Sequence, residues 1–253
     1  MIAPFALDFS VRSYECGADG ALAVPHLLDY LQETASEHAC VLGFDHPVVD
    51  EKTGARGAWV LAQIRLDVVR APRWRDVVRV DTFPHGVRAL SADRDFTVTL
   101  ADGTPCATAS TRWMVMDPVA RRAVRVPAFV AAFDAGREPV FGPGDPFARL
   151  RPPPAGEPPP DEARAFKVMR AHIDLNGHVN NAHYAAWMLE SLPQERVSGA
   201  RLEKLEIAFR SETLYGETVE STTRETGPGA FFHRVTAPGG RDHVLGTTRW
   251  ARA

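Results

Sequence analysis

The chain repeats itself. Ser110-Thr111-Arg112-Trp113 recurs as Thr247-Thr248-Arg249-Trp250, and the same shift of 137 positions carries Gly103 onto Gly240. Asp76-Val77-Val78 matches Glu217-Thr218-Val219 at a shift of 141, and Leu31-Gln32-Glu33-Thr34 matches Met188-Leu189-Glu190-Ser191 at 157. A tandem repeat restricts the fold more than any composition does, because each half must bury its own apolar face with the same set of elements. The larger shift near the helices implies an extra loop in the first half, around residues 44–56.

Those elements can be read off the pattern. Val24 to about Leu42 is helical, with Leu27, Leu28, Leu31, Thr34, Ala35 and His38 on one broad face and Gly43 as a stop. A strand is expected before it, from Phe5 to Glu15. Strands follow at Ala58 to Val69, Asp76 to Phe83, Arg94 to Leu100 and Pro105 to Met116, with a hairpin turn at Ala101-Asp102-Gly103. Residues 137–162 hold Pro139, Pro143, Pro146 and two triple-proline runs, and read as a semi-rigid linker with little that could pack. The programme then repeats: strand, loop and helix to Glu190, then strands at Leu202 to Phe209, Glu217 to Glu225, Phe231 to Ala237 and His243 to Ala251. The expected domains are residues 1–136 and 163–253, each an α+β unit of one helix on an antiparallel sheet.

The second half carries polar groups that the first lacks. Asp174, Asn176 and His178 stand at every second position, a spacing that places them on one side of an extended strand or loop. Asn180 and Asn181 follow as N-cap residues of a helix marked by Tyr184, Trp187 and Met188. An acid, an amide and an imidazole thus meet at the positive end of a helix, where negative charge is stabilised. At the shift of 157 their first-half counterparts are Gly17, Asp19 and Ala21.

Composition closes off other classes. A net charge of −3 argues against general nucleic-acid binding. Arginines do cluster locally, at Arg70, Arg73, Arg75 and Arg79 and again at Arg121, Arg122 and Arg125, either as solvated surface or as a docking patch. No apolar run approaches the roughly 20 residues that span a bilayer, and the opening residues lack the basic and apolar regions of a signal peptide. Three separated cysteines favour a reducing compartment, taken as the cytoplasm. His172, His178 and His183 are spaced unlike a zinc site, and HExxH, GxGxxG, P-loop and GxSxG patterns are missing, so neither metal nor cofactor is expected. Trp59, Trp74, Trp113, Trp187 and Trp250 are expected in cores or pockets.

The duplicated pattern resembles the acyl-ACP thioesterase family, a tandem double hotdog in which a long helix is wrapped by a curved sheet. The family signature Asp-x-Asn-x-His-Val-Asn-Asn stands here as Asp174 to Asn181, followed by Tyr184, Trp187 and Leu189-Glu190-Ser191. A second motif, aromatic-Arg-x-Glu-Cys on the following strand, stands as Phe209-Arg210-Ser211-Glu212-Thr213. Arg12-Ser13-Tyr14-Glu15 and Pro72 to Val78 match in the first half. The resemblance implies hydrolysis of the thioester between a fatty acyl chain and acyl carrier protein, with Asp174, Asn176, His178 and Glu212 as the catalytic set and the first half lining the acyl cavity. Backbone N–H groups at Asn180 and Asn181, with the Asn176 amide, would cradle the oxyanion; Asp174 or Glu212 would activate water and His178 relay a proton. Thr213 replaces the family's cysteine, so a cysteine nucleophile is not required. The carrier is acidic, which makes Arg70, Arg73, Arg75 and Arg79 a candidate docking patch. An acyl-CoA thioesterase, a hydratase of the same fold or a non-catalytic acyl binder are the alternatives, and two hotdogs in one chain permit either a monomer or a homodimer.

Overall fold

The computed structural model describes residues 5–43, 48–49, 56–127, 130, 132, 134, 136–152, 154 and 159–252. The chain divides into two compact units, Met1–Pro146 and Phe147–Ala253.

In the first unit β1 (Phe5–Ser10) precedes α1 (Val24–Val41), β2 (Val48–Val49), β3 (Arg56–Val68), β4 (Val77–His85), β5 (Ser91–Leu100), β6 (Pro105–Asp117) and β7 (Arg122–Val124). The strands pair antiparallel in the order β1-β4-β5-β6-β3, with β2 on β3 and β7 on β6. Helix α1 begins at Val24-Pro25, where proline sets φ without costing a needed donor. It ends at Gly43, whose φ of 74° is the left-handed stop that the sequence marks. Its face of Leu27, Leu28, Tyr30, Leu31, Thr34, Ala35 and His38 is buried, and the helix packs on β4 and β1. Most of the expected loop at residues 44–56 lies outside the described residues.

The second unit repeats this order. It comprises β8 (Glu162–Lys167), α2 (Asn181–Glu190), the short α3 (Gln194–Val197), β9 (Ala200–Phe209), β10 (Thr218–Gly227), β11 (Ala230–Thr236) and β12 (Asp242–Arg252). Its sheet runs β8-β10-β11-β12-β9, again antiparallel. Registers agree with the repeat: Arg94 lies opposite Thr111 as Phe231 lies opposite Thr248. Each unit is therefore a helix on an antiparallel sheet, the hotdog arrangement, although α2 is shorter than the expected long helix. Among the described residues, no helix is long and apolar enough to cross a membrane.

Helix α2 lies close on its sheet because β12 offers a glycine. A Cβ at Gly246 would stand 2.3 Å from Met188 Cε and 3.0 Å from Glu206 O. Gly246→Val is expected to destabilise the protein by roughly 1–3 kcal/mol through overpacking. Denaturant titration checks this against Gly239→Ala, where a Cβ meets nothing within 4 Å.

The described part of the proline-rich stretch, expected as a semi-rigid linker with little that could pack, is anchored. Val140 N–H donates to Asp95 Oδ2 at 2.8 Å, Arg65 donates to Pro146 O at 3.2 Å and covers the Phe141 ring at 3.8 Å, and Arg112 holds Asp145. In the second unit Leu150 is buried with Ala208 and Leu245, and Arg210 donates to Leu150 O at 2.8 Å. Proline removes donors but leaves carbonyls, so arginines from distant strands can hold such a segment. Trp187 is buried as expected, whereas Trp74 is 51% exposed.

Candidate active site

The three polar residues of the second unit do meet, by a tight turn and not by alternation along a strand. Ile173 and Val179 form an isolated bridge, and between them the Asp174 N–H donates to His178 O at 2.9 Å and the Gly177 N–H to Asp174 O at 3.1 Å. Gly177 takes φ 82°, which L side chains rarely adopt, and so permits the reversal. Asp174 Oδ1 accepts the Asn176 backbone N–H at 2.8 Å, its Oδ2 receives Asn176 Nδ2 at 3.4 Å, and His178 Nδ1 stands 3.9 Å from Oδ1. This is an Asx turn, with the carboxylate as its hub.

Glu212 reaches the same region from a loop after β9, where a strand was expected, and is exposed. The adjacent Thr213 fixes this loop. Its carbonyl accepts the Val179 N–H at 3.0 Å, and its hydroxyl accepts from Tyr184 Oη at 2.9 Å. Thr213 is fully buried, and burial pushes the Tyr184 phenol up to about 12. The position that the family fills with cysteine is thus a structural contact between the site loop and α2.

At the helix start Asn180 is the expected cap, but its N–H, one of the expected oxyanion donors, is already engaged. The Asn180 N–H donates to His172 O at 2.9 Å, and its side chain accepts the Ala182 N–H at 3.0 Å. Asn180 is the helix cap, and its own N–H points into the loop instead of toward an oxyanion. Asn181 is the first residue of α2. Sequence reasoning passed over the pairing of His172 with His183, whose rings lie 4.7 Å apart. His172 Nδ1 accepts the Met169 N–H at 3.2 Å; burial, then the neighbouring His183, holds it below the usual histidine range. The only available signal was positional: at the shift of 157, His172 falls on Glu15, which receives the Arg12 N–H in the same way.

The first unit has the same backbone with other side chains. Gly17 N–H donates to Ala21 O at 2.9 Å, Gly20 N–H to Gly17 O at 2.9 Å, Ala23 N–H to Glu15 O at 2.9 Å and Leu22 N–H to Pro72 O at 2.8 Å. Each of these bonds has its counterpart around Asp174 to Asn180. Ala71 then stands where the second unit has Glu212, and Leu27 where it has Tyr184. The arginines of the expected docking patch have contacts of their own within this unit. Arg73 donates to Asp19 O at 2.6 Å and Arg75 covers Trp74 at 4.3 Å, beside the first turn. The Arg70 N–H instead bonds Cys106 O, and Arg79 is paired with Asp8 and Asp81. Among the described residues no group of three or more His, Cys, Asp or Glu side chains is placed to hold a metal ion.

Two family models match, the acyl-ACP thioesterase N-terminal domain over residues 3–133 and its C-terminal domain over residues 158–252. A chloroplastic palmitoyl-acyl carrier protein thioesterase of Gossypium hirsutum is 30% identical over 271 residues, covering 97% of this chain and 63% of the relative. The chloroplastic oleoyl-acyl carrier protein thioesterase 2 of Arabidopsis thaliana is 28% identical over 241 residues, covering 92% and 66%. The chain thus spans a little under two thirds of these two curated relatives. Among solved structures, an acyl-ACP thioesterase from Bacteroides thetaiotaomicron matches with a TM-score of 0.85 at 21% identity, covering 98% of each chain. The 12:0-ACP thioesterase from Umbellularia californica matches with a TM-score of 0.83 at 22% identity, covering 99% and 98%. At these identities the two structures bear on the fold.

Proposed function

Because this chain belongs to the acyl-ACP thioesterase family, we propose that it hydrolyses the thioester joining a fatty acyl chain to acyl carrier protein, releasing the free acid and the carrier thiol. The observation that carries this reading is the asymmetry between two matching turns. Asp174, Asn176 and His178 meet beside the Glu212 loop in one, and Gly17, Asp19 and Ala21 occupy the other with Ala71 opposite.

Thioester hydrolysis needs a proton acceptor for water, a donor for the tetrahedral oxyanion and a proton for the departing sulfur. Asp174 is already the acceptor of two contacts from Asn176, which suits it to hold the Asn176 amide and to face His178. Glu212, exposed at the loop, then takes a proton from water as the oxygen attacks the thioester carbonyl. The Asn176 side-chain N–H group stabilises the oxyanion, in place of the Asn180 N–H. As the C–S bond breaks, the proton passes through His178 to the thiol. Thr213, tied to Tyr184, takes no part as a nucleophile. The three free cysteines fit a reducing compartment such as the cytoplasm.

The test is to supply the purified protein with one acyl chain on carrier protein and, separately, on coenzyme A, and to follow thiol release and the free acid by mass. Preferential turnover of the carrier-bound chain is expected. Faster turnover of the coenzyme A ester would transfer the activity to that carrier, and none on either would leave only a binding protein.

A further inference from the structure

We propose that the two loops holding the candidate site also form the docking surface for the acidic carrier protein. This rests on the thioesterase reading and adds a location to it. In the second unit the large apolar side chains exposed among the described residues are Met169 (56%), Leu175 (106%), Leu214 (46%) and Tyr215 (54%). All four fall within residues 169–215, on the two loops that carry Asp174 to His178 and Glu212. A fully exposed leucine contributes nothing to burial on folding, and an apolar patch edged by polar groups marks an interaction site. Leu175 sits between Asp174 and Asn176, while Leu214 and Tyr215 directly follow Glu212-Thr213.

The loops are held rigidly in this arrangement. The Gly216 N–H donates to Val168 O at 3.2 Å and the Val179 N–H to Thr213 O at 3.0 Å, which ties the loops side by side. Glu217 accepts the Leu214 N–H at 2.8 Å, and the Asx turn from Asp174 to Asn176 spans Leu175. Two cations edge the patch: Arg170 covers the Tyr215 ring at 4.7 Å, and Lys167 donates to Gly216 O. A tyrosine under an arginine, among smaller apolar groups, is a common centre for protein association. Lys167 and Arg170 offer an acidic partner two charges beside the carboxylates of Asp174, Glu212 and Glu217, and the thioester has to be delivered to the groups on these same loops.

The repeat supplies an independent comparison. At the matching first-unit positions stand Arg12, Ala18, Arg73 and Trp74, so only the aromatic residue is kept. Exposed apolar side chains stand beside the first turn as well, Tyr14 at 73% and Trp74 at 51%, so what the second unit adds is the acid, amide and imidazole next to them.

The test compares one acyl chain on carrier protein with the same chain on pantetheine. Tyr215→Ala, Met169→Ser and Arg170→Glu are expected to raise KM for the carrier-bound ester about tenfold each, with kcat/KM for the pantetheine ester within about threefold. Titration of holo-carrier into the full chain should show the same weakening, and this readout does not depend on turnover. Failure of hydrolysis with intact, patch-dependent binding would sink the thioesterase reading and leave the surface standing. Unchanged carrier binding in the variants, equal losses on both esters, or loss of binding in Arg73→Glu and Arg75→Glu instead would overturn the patch. Leu175→Ser, at a fully exposed position, repeats the test should any other variant melt earlier than the parent protein.

Discussion

Glu212→Gln is expected to lower kcat for acyl thioester hydrolysis by about 10²–10⁴-fold, the range spanned by loss of a positioned general base. The substitution keeps size and polarity but removes the proposed proton acceptor, and Glu212 lies at an exposed loop position where the change leaves the core untouched. Asp174→Asn should cost less, about 10–100-fold. An amide oxygen can still accept the Asn176 N–H, while the negative charge facing His178 is lost. His178→Ala removes the relay and should fall between the two. Asp19→Asn, in the matching turn of the first unit, should leave the rate within twofold, because its Oδ1 only receives the Ala21 N–H at 3.0 Å. Steady-state rates on one acyl-carrier substrate decide the matter. A larger loss at Asp174 than at Glu212 would exchange their roles, and equal rates in all variants would remove the site.

The second large effect is on stability in acid. His38 Nδ1 lies 2.8 Å from Arg94 Nη1, so the ring must accept and stay neutral there. Burial, reinforced by the Arg94 charge, lowers His38 to about 4. His233, enclosed between the Thr223 and Thr248 hydroxyls, is lowered by burial to about 3. Both folded values lie below the unfolded value near 6.5, so the folded state binds fewer protons. Their contribution is complete above pH 6.5 and is lost as pH falls toward 4 and 3, on the order of 3 kcal/mol per group. His85 works in the opposite sense. Burial lowers it, but Asp95 at 3.0 Å, close though not aligned as a hydrogen bond, outweighs that and raises it, so its contribution fades as pH rises. Set against a typical total of about 5–15 kcal/mol, the loss from the two buried histidines is a large fraction, and the buried His243, also lowered by burial, adds to it. Melting curves from pH 7.5 to 4 should fall steeply for the parent protein and less steeply for His38→Gln with His233→Gln, since glutamine cannot take the proton. Equal steepness would reject this account.

Much of this was legible in the sequence, and the failures have specific causes. The repeat worked because it couples many positions: shifts of 157 and 141 that match a few residues also match whole sets of backbone hydrogen bonds. Strand periods and the Asn180 cap were read correctly for local reasons, through side-chain alternation and an amide before a helix. Asp174, Asn176 and His178 do come together, through a turn and not through the alternation expected of an extended strand or loop. Their spacing of two mimics a strand, while Gly177 at positive φ between Asn176 and His178 marks the turn that actually forms. Asp93-Arg94-Asp95 gave no warning that all three would be buried, because the partners that make burial tolerable come from α1, β4, β6 and residues 137–146. The proline-rich stretch misled in the same way, since what anchors it are arginines whose reach no local pattern encodes.

The matching turns have a consequence for how this protein can be interrogated. The loop from Gly17 to Ala23 is a blank built into the same molecule: it shares the hydrogen-bonded backbone of the Asp174 to Asn180 loop and carries Gly17, Asp19 and Ala21 where that loop has Asp174, Asn176 and His178. A perturbation of the shared backbone bonds can be read in both copies, whereas one of the Asp174, Asn176 and His178 side chains can be read only in the second. The duplication therefore separates geometry from chemistry within a single chain, where ordinarily a second, disabled protein would have to be made.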